Sequence, residues 1–358
     1  MDNDVRTMLL DQATRLLEAE VDQSRLKTLL EAPGSFDRAL WEKAVELGWP
    51  AIAIPELGGG LGLDLESLTP LLQELGQRTV SLPLVSGYVT AMALLDNGVA
   101  ADVVAALASG EAIAALAFGE AGDCGLMPAA KFANGKITGA KAPAAFAAVA
   151  DHALVTALDG DTPGLYLVAL GGAGVERDVL EVIDNARAAA GLRLAGAPAT
   201  PVVTGWAAVL RTAGIAATLT AFEQVGGSER CLKISVEYAK ERKVFGQPIG
   251  AFQAIKHKLA DMYQEVEIGR GCAIDALESL VAGQSDFLSL ACTARLGAGA
   301  SYDFCARECI QTHGGIGVTW EAEPQHHYRR ARSLALELGG APFWRDLLVD
   351  GQRVLETV

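Results

Sequence analysis

The spacing of apolar residues changes twice along the chain, and this limits the folds that it can adopt. Up to about residue 111, apolar side chains recur at helical spacing, interrupted by a glycine-rich loop at 58–62. From 112 to about 201 the apolar runs are short and separated by turn residues, which is typical of strands. Beyond residue 202 the helical period returns in four long segments, at 205–242, 251–281, 285–311 and 321–356.

These patterns predict an α+β protein that is mostly α. We expect an N-terminal helical domain at residues 1–111, a small central β-barrel or sandwich at 112–201, and a C-terminal four-helix bundle at 202–358. With 358 residues and 51% hydrophobic content, the chain can bury a substantial core in two or three domains.

The composition predicts a cytoplasmic protein. The first residues lack the basic region of a secretory signal, and charged residues interrupt each alanine-rich stretch before it reaches membrane-spanning length. A formal charge of -15 argues against nucleic acid or an anionic membrane as a partner. The one dense basic run, Arg329, Arg330 and Arg332, is interpreted as a solvated helix face.

The six cysteines are scattered without a paired framework, as expected of thiols in a reducing compartment. Cys305 and Cys309 lie four residues apart and His326 adjoins His327, but no Cys-x-x-Cys or His-Glu-x-x-His spacing joins them. The sequence therefore predicts no metal site. It contains no nucleophile elbow and no Ser-His-Asp order either.

A turn between the first two C-terminal helical segments carries a candidate anion site. Residues 238–253 place Arg242, Phe245 and Gln253 around the sequence Gly246-Gln247-Pro248, and a guanidinium can donate two parallel hydrogen bonds to a phosphate. Taken alone, an arginine beside a turn is more often a solvated charge.

A second cluster has the sequence Gln311-Thr312-His313-Gly314-Gly315-Ile316-Gly317. Its glycines allow close approach of the backbone to a ligand and positive φ angles. The alternative interpretation is an ordinary helix C-cap ending in glycine. His313 lies beside the glycines, although a buried, hydrogen-bonded imidazole is the simpler interpretation of that residue.

Taken together, the two clusters resemble the C-terminal domain of the acyl-CoA dehydrogenase family, with its Arg-x-x-Phe-Gly-x-x-x-x-x-x-Gln and Gln-x-x-Gly-Gly-x-Gly signatures. Residues 54–62 resemble the family's N-terminal Pro-Glu-x-x-Gly-Gly-x-Gly loop. Gly139-Ala140-Lys141, followed by Ala150-Asp151, resembles a degenerate form of its central β-domain. The resemblance thus extends through most of the chain.

The resemblance implies an FAD site shared between subunits, in which one chain holds the isoalloxazine ring and the bundle of a neighbour contacts the pyrophosphate. All six residues that the family uses toward the neighbour are present here: Arg242, Phe245, Gln253, Gln311, Gly314 and Gly315. We call these residues the neighbour-facing arm. Val244 replaces a frequent threonine, which removes a hydrogen bond of roughly 1 kcal/mol.

The half that would hold a flavin ring within the same chain departs from the family. Its Thr-Glu-Pro-x-x-Gly-Ser segment corresponds to 119–125, which lacks the hydroxyls, and its Trp-x-Thr corresponds to Pro143-Ala144-Ala145. A proline and two alanines supply neither the stacking area nor the donor.

The family's reaction also needs a carboxylate base, which removes the proton next to a thioester while the flavin accepts a hydride. The usual position of that base falls on Leu338, so no catalytic residue is assigned, with Glu337 as the alternative. Some relatives place the base on the first helix of the bundle, at a position that falls near Ala216 or Ala217 here, and an arginine that often contacts coenzyme A there is also missing.

Three hypotheses follow from these departures. The first is a non-catalytic subunit of a heteromeric acyl-CoA dehydrogenase, which donates pyrophosphate contacts to FAD held by a homologous partner, as in family members that act on bulky acyl-CoA substrates such as steroid side chains. The second is a homo-oligomeric FAD enzyme with Glu337 as base. The third is a flavin-free protein that binds acyl-CoA or acts as a scaffold. The hypothesis of Glu337 as base conflicts with helical geometry, because one residue turns a helical side chain by about 100°.

Overall fold

The computed structural model describes residues 3–120 and 125–356, and the side chains of residues 5–120 and 125–350. Cys124 and most of the segment 119–125 therefore lie outside the described residues.

The N-terminal part is helical, as predicted. Its helices are α1 (Asn3–Glu20), α2 (Gln23–Glu31), α3 (Arg38–Glu46), α4 (Leu65–Gln77), α5 (Leu84–Asp96) and α6 (Ala101–Ser109). Asp22, Asp37 and Asp64 begin α2, α3 and α4, and each carboxylate accepts a hydrogen bond from the backbone N–H three residues later. The glycine loop packs tightly, since a Cβ on Gly60 would lie 1.9 Å from the Ile54 carbonyl oxygen.

The central part is an eight-stranded sheet. Its strands are β1 (Ala114–Ala117), β2 (Lys131–Ala133), β3 (Lys136–Ala144), β4 (His152–Asp159), β5 (Thr162–Ala169), β6 (Val175–Val179), β7 (Ala190–Pro198) and β8 (Thr200–Thr204). The strand order is β6-β7-β3-β2-β4-β5-β8, and β1 pairs with β4 in parallel. The prediction of a central β-domain is confirmed, while its boundaries at 112 and 201 stay predictions.

The C-terminal part contains α7 (Trp206–Glu241), α8 (Gln253–Val281), α9 (Phe287–His313), α10 (Pro324–Leu336) and α11 (Ala341–Glu356). The first three fall on predicted segments, but the prediction of one helix over 321–356 was wrong. The chain leaves helical geometry at residues 337–340, where Leu338 and Gly339 have φ of 59° and 88°. Two adjacent glycines, Gly339 and Gly340, favour this break because glycine adopts positive φ without steric cost.

Helices α4 and α7 approach each other closely and join the N-terminal part to the bundle. A Cβ on Gly76 would lie 2.0 Å from the Glu223 carbonyl oxygen, and one on Gly226 would lie 2.0 Å from that of Gln73. One hydrophobic core runs from α1 through the sheet into α7, α8 and α9. Within the described residues, no helix is both long and apolar enough to cross a membrane.

Candidate functional site

A cavity lies where α4, α5, the sheet, α7 and the α10–α11 linker meet. Its volume is about 100 Å³, below the roughly 300–1,000 Å³ of sites for drug-sized ligands. Apolar side chains form most of its wall, and the only charged groups among its described lining residues are Arg187, Glu223 and Glu337.

The positions expected to hold a flavin ring do line this cavity. Gly119, Gly125, Pro143, Ala144 and Ala145 contribute to the wall. These five residues present no side-chain hydroxyl, indole or amide to a ring. At these five positions the chain therefore lacks the side-chain donors and the stacking surface that the resemblance leads us to expect for an isoalloxazine.

One aromatic ring beside these positions, that of Phe146, is already engaged by other side chains. Phe146 is buried, with a φ of 64°. It packs edge-on against Phe36 at 6.4 Å between ring centroids, and the Arg187 guanidinium lies 5.1 Å above its ring. This ring therefore belongs to the protein interior.

Both candidate base positions also face the cavity. Leu338 and Glu337 are lining residues, and α10 ends at Leu336, so the two positions are not separated by a helical turn of 100°. The helical argument against Glu337 was therefore wrong, because it assumed a helix through residue 338. The alternative positions Ala216 and Ala217 are fully buried on α7 and carry only methyl groups.

The Glu337 carboxylate is held in a bidentate ion pair. Arg187 donates from Nε to Oε1 at 2.9 Å and from Nη2 to Oε2 at 2.6 Å. Burial opposes ionisation of Glu337, but the charge and hydrogen bonds of Arg187 outweigh it, and the pKa of this carboxyl lies below its usual range. A carboxylate with a lowered pKa is a weaker base than one with the raised pKa typical of catalytic groups.

The ion pair extends into a buried cluster of three arginines and three acids: Arg187, Arg295, Arg330, Asp184, Glu223 and Glu337. Arg330 is the centre of this cluster. Its guanidinium donates to Asp184 at 2.5 Å, to Glu223 at 2.8 Å, to Ser81 Oγ at 2.6 Å, and to the carbonyls of Thr79 and Val80. The prediction of a solvated basic face was wrong for Arg330, which is buried, whereas Arg332 is partly exposed and pairs with Asp303.

The neighbour-facing arm has the opposite character, because its residues are exposed. Helix α7 ends at Glu241, and a two-stranded hairpin, β9 (Lys243–Val244) with β10 (Gln247–Pro248), leads into α8. Phe245 and Gly246 form the hairpin loop with φ of 51° and 81°, and Phe245 is 92% exposed. Among the described residues, no side-chain hydrogen bond or ion pair engages the Arg242 guanidinium.

The second half of the arm follows the end of α9. Gly314 caps that helix with a φ of 66°, so the C-cap interpretation holds, yet a Cβ on Gly314 or Gly315 would meet no described atom within 4 Å. The surface beside these glycines is open, and it leaves room for a ligand. Two glutamines of the arm are also exposed. Gln311 lies on the last turn of α9, and Gln253 lies on the first turn of α8.

A stacked pair, Tyr238 on α7 and His313 on α9, joins the two halves of the arm. The ring centroids lie 4.3 Å apart with an interplanar angle of 28°. The backbone carbonyl of Tyr238 also accepts the backbone N–H of Arg242 at 2.8 Å. The two motifs therefore belong to one surface, a juxtaposition that no sequence spacing predicted.

Comparisons with known proteins agree with the fold and the motifs. The acyl-CoA dehydrogenase N-terminal domain family matches residues 3–111, and the acyl-CoA dehydrogenase C-terminal domain family matches residues 204–342. The chain is 30% identical over 337 residues to the acyl-CoA dehydrogenase IpdE2 of Mycobacterium tuberculosis, covering 92% of each protein. The chain belongs to the acyl-CoA dehydrogenase family, which is FAD-dependent.

Two solved structures are similar over nearly the whole chain. The Tcur3481-Tcur3483 steroid acyl-CoA dehydrogenase, as a G363A variant, gives a TM-score of 0.92 with 29% identity and covers 99% of each chain. The ChsE4-ChsE5 complex from Mycobacterium tuberculosis gives a TM-score of 0.89 with 26% identity, covering 100% of this chain and 99% of that one.

Proposed function

We propose that this chain is the non-catalytic subunit of a heteromeric acyl-CoA dehydrogenase. In this proposal a homologous partner subunit binds the flavin ring and supplies the base, and the present chain donates contacts to the FAD pyrophosphate. The complex carries out α,β-dehydrogenation of an acyl-CoA thioester.

One observation carries the proposal, namely the contrast between the cavity and the arm. The five cavity positions expected to hold a flavin ring offer no side-chain donor and no stacking surface, and the carboxylate at the base position, Glu337, is bound to Arg187. The arm keeps all six family residues, and they are exposed.

The residues of the arm fit a diphosphate. Arg242 can donate two parallel hydrogen bonds to phosphate oxygens, and Gly314 and Gly315 leave room for close approach of the backbone. FAD, when bound, supplies the hydride acceptor of the reaction. This chain contributes position and charge to the cofactor and no proton transfer.

The substrate class of the proposal comes from the relatives. One similar structure is described as a steroid acyl-CoA dehydrogenase, and another as the complex of ChsE4 with ChsE5. We infer an acyl-CoA with a bulky acyl group, such as a steroid side chain, as the substrate of the mixed complex.

Co-expression with candidate partner subunits tests the proposal. The chain purified alone should be colourless, whereas the mixed complex should carry flavin and oxidise an acyl-CoA. In that complex Arg242→Ala should weaken FAD binding by about 1.5–3 kcal/mol, the range for hydrogen bonds to charged groups. Arg15→Ala, at an exposed arginine of α1, is the matched control.

The homo-oligomeric alternative has one observation in its favour, since Glu337 lines the cavity. It requires the isolated chain to bind FAD, turn over an acyl-CoA and lose that activity in Glu337→Gln. Flavin and turnover in the lone protein would overturn our proposal. A mixed complex whose flavin content does not change in Arg242→Ala would remove the role assigned to the arm.

A further inference from the structure

His313 occupies a defined position between the two halves of the arm. It is the last residue of α9 and is half-buried. Its Nδ1 lies 2.8 Å from the carbonyl oxygen of Cys309. A carbonyl only accepts, so Nδ1 carries a proton, and Nε2 is an acceptor in the neutral ring and a donor in the charged ring. Nε2 has no hydrogen-bond partner among the described residues and is not sealed from solvent.

The groups around the ring favour its charged form. Tyr238 from α7 stacks on it, and the Cys309 thiol from α9 lies 3.8 Å from Nδ1. The negative charge of Glu323, in the segment before α10, also favours the protonated ring. Burial opposes the charge, yet the hydrogen bonds with Cys309 outweigh it and raise the pKa of His313 above its usual value. Cys231 of α7 hydrogen-bonds to Cys309, and Arg230 and His327 already bind the Glu323 carboxylate.

Helix electrostatics show why an anion at this surface needs such a charge. Arg242 follows the C-terminus of α7, and His313 is at the C-terminus of α9. Each helix C-terminus carries about half a negative charge, which repels an anion and stabilises a cation. A diphosphate beside Gly314 and Gly315 would therefore be opposed by the α9 terminus unless a cation stood there. Arg242, and His313 in its charged form, place cations at these two helix ends.

We infer that His313 is a proton-linked anion-binding residue of the arm, whose charged imidazole donates Nε2–H to the diphosphate of the bound dinucleotide. This inference rests on the proposed function, because it assigns a further contact to the same surface. Diphosphate binding then takes up a proton wherever His313 is neutral in the free chain. Affinity for the dinucleotide is accordingly highest at low pH and falls as the pH rises through the pKa of His313.

An NMR titration of the isolated chain with ADP, which carries a diphosphate on adenosine, tests this inference. The chain has five histidines, so individual imidazole signals can be followed against pH, and His313→Phe assigns the relevant one. We expect ADP to bind roughly tenfold more tightly to the form with protonated His313, equivalent to one pKa unit of coupling. His313→Phe keeps a ring against Tyr238 and should show only the pH dependence that comes from the terminal phosphate of ADP, so the difference between wild type and variant reports on His313. Adenosine is the ligand control, and the His152 signal in the β-domain is the internal control.

The outcomes separate the two proposals. If ADP binds in an Arg242-dependent manner while the His313 titration is unchanged, the role of His313 is refuted and the proposed function stands. If neither Arg242→Ala nor His313→Phe alters ADP binding, the arm is not a diphosphate site and both proposals fail. If adenosine shifted the His313 titration as much as ADP does, the nucleoside and not the diphosphate would be the recognised group, and the inference would be overturned.

Discussion

Arg330 and Arg242 are two arginines of the same bundle in opposite environments. Arg330 is buried and donates to two carboxylates, one hydroxyl and two carbonyls. Arg242 is exposed, and its guanidinium contacts no hydrogen-bonding group in the described part of the chain. The first holds the domains of this chain together, and the second is left free to contact something outside it.

The difference indicates how a family active site can become a structural junction. The three arginines and three acids beside the cavity balance in formal charge, so the cluster adds no net charge to the interior. Glu337 takes part in this balance instead of standing free as a base. In the proposed function, the contribution of this chain to the reaction lies on the exposed arm.

Replacing Arg330 should give the largest loss of stability. Arg330→Ala leaves Asp184 buried without its arginine and removes one of two arginines from Glu223, and breaking a buried pair from one side typically costs about 3–5 kcal/mol. Chemical denaturation of the isolated chain measures this. Arg332→Ala on the same helix is the control, since partly exposed ion pairs contribute about 0–1 kcal/mol. Equal effects of the two variants would contradict the structural role of Arg330.

Glu337→Gln should lower stability without removing the activity of the mixed complex. Loss of the charge-assisted pair with Arg187 should cost about 1.5–3 kcal/mol. Because the pKa of Glu337 is lowered in the folded chain, its ionised carboxylate stabilises the fold above the ordinary pKa of about 4.3. This stabilisation is lost as the pH falls through the lowered pKa of the folded chain. The stability difference between wild type and variant should therefore shrink in acid. Complete loss of turnover at unchanged stability would instead identify Glu337 as the base.

A substitution at the close contact of α4 with α7 should lower stability by a smaller amount. Gly226→Ala places a methyl group against the Gln73 carbonyl, and overpacking of this kind costs about 1–3 kcal/mol. Gly271→Ala is the matched control, because Gly271 is an exposed helical glycine of α8 and a Cβ there would meet no described atom within 4 Å. Such a substitution stabilises a helix by roughly 0.5–1 kcal/mol. If thermal or chemical unfolding shows that Gly226→Ala lowers stability while Gly271→Ala raises it, the contact is supported. Changes of the same sign in the two variants would contradict it.

The sequence predicted the fold well because the periodicity of apolar residues reports local geometry directly. It failed at residues 337–340, where a short left-handed segment interrupts a helical pattern. It also failed for Arg330, which was placed with its basic neighbours. A signal for burial was present, since Arg330 shares helical spacing with the buried His327, Ala331 and Leu334.

The site was only partly accessible to sequence reasoning. Motif resemblance predicted the residues of the arm, whose role stays a prediction, and the substituted positions that line the cavity. It did not identify Arg187, Asp184 and Glu223 as members of one cluster. Asp184 and Arg187 are close in sequence, but they lie far from Glu223 and Arg330 along the chain and meet them only through packing of the central domain on the bundle. The stack of Tyr238 on His313 was missed for the same reason.

Arg242→Ala should have the smallest effect on the isolated chain. Surface substitutions away from packing and hydrogen-bond features usually change stability by no more than about 0.5 kcal/mol, and Arg242 contacts no described partner. Chemical denaturation of wild type, Arg242→Ala and Arg330→Ala in parallel compares the two arginines directly. A loss above about 1 kcal/mol in Arg242→Ala would show that Arg242 supports the fold. An unchanged stability together with reduced flavin in the mixed complex would show that its contact lies on another molecule.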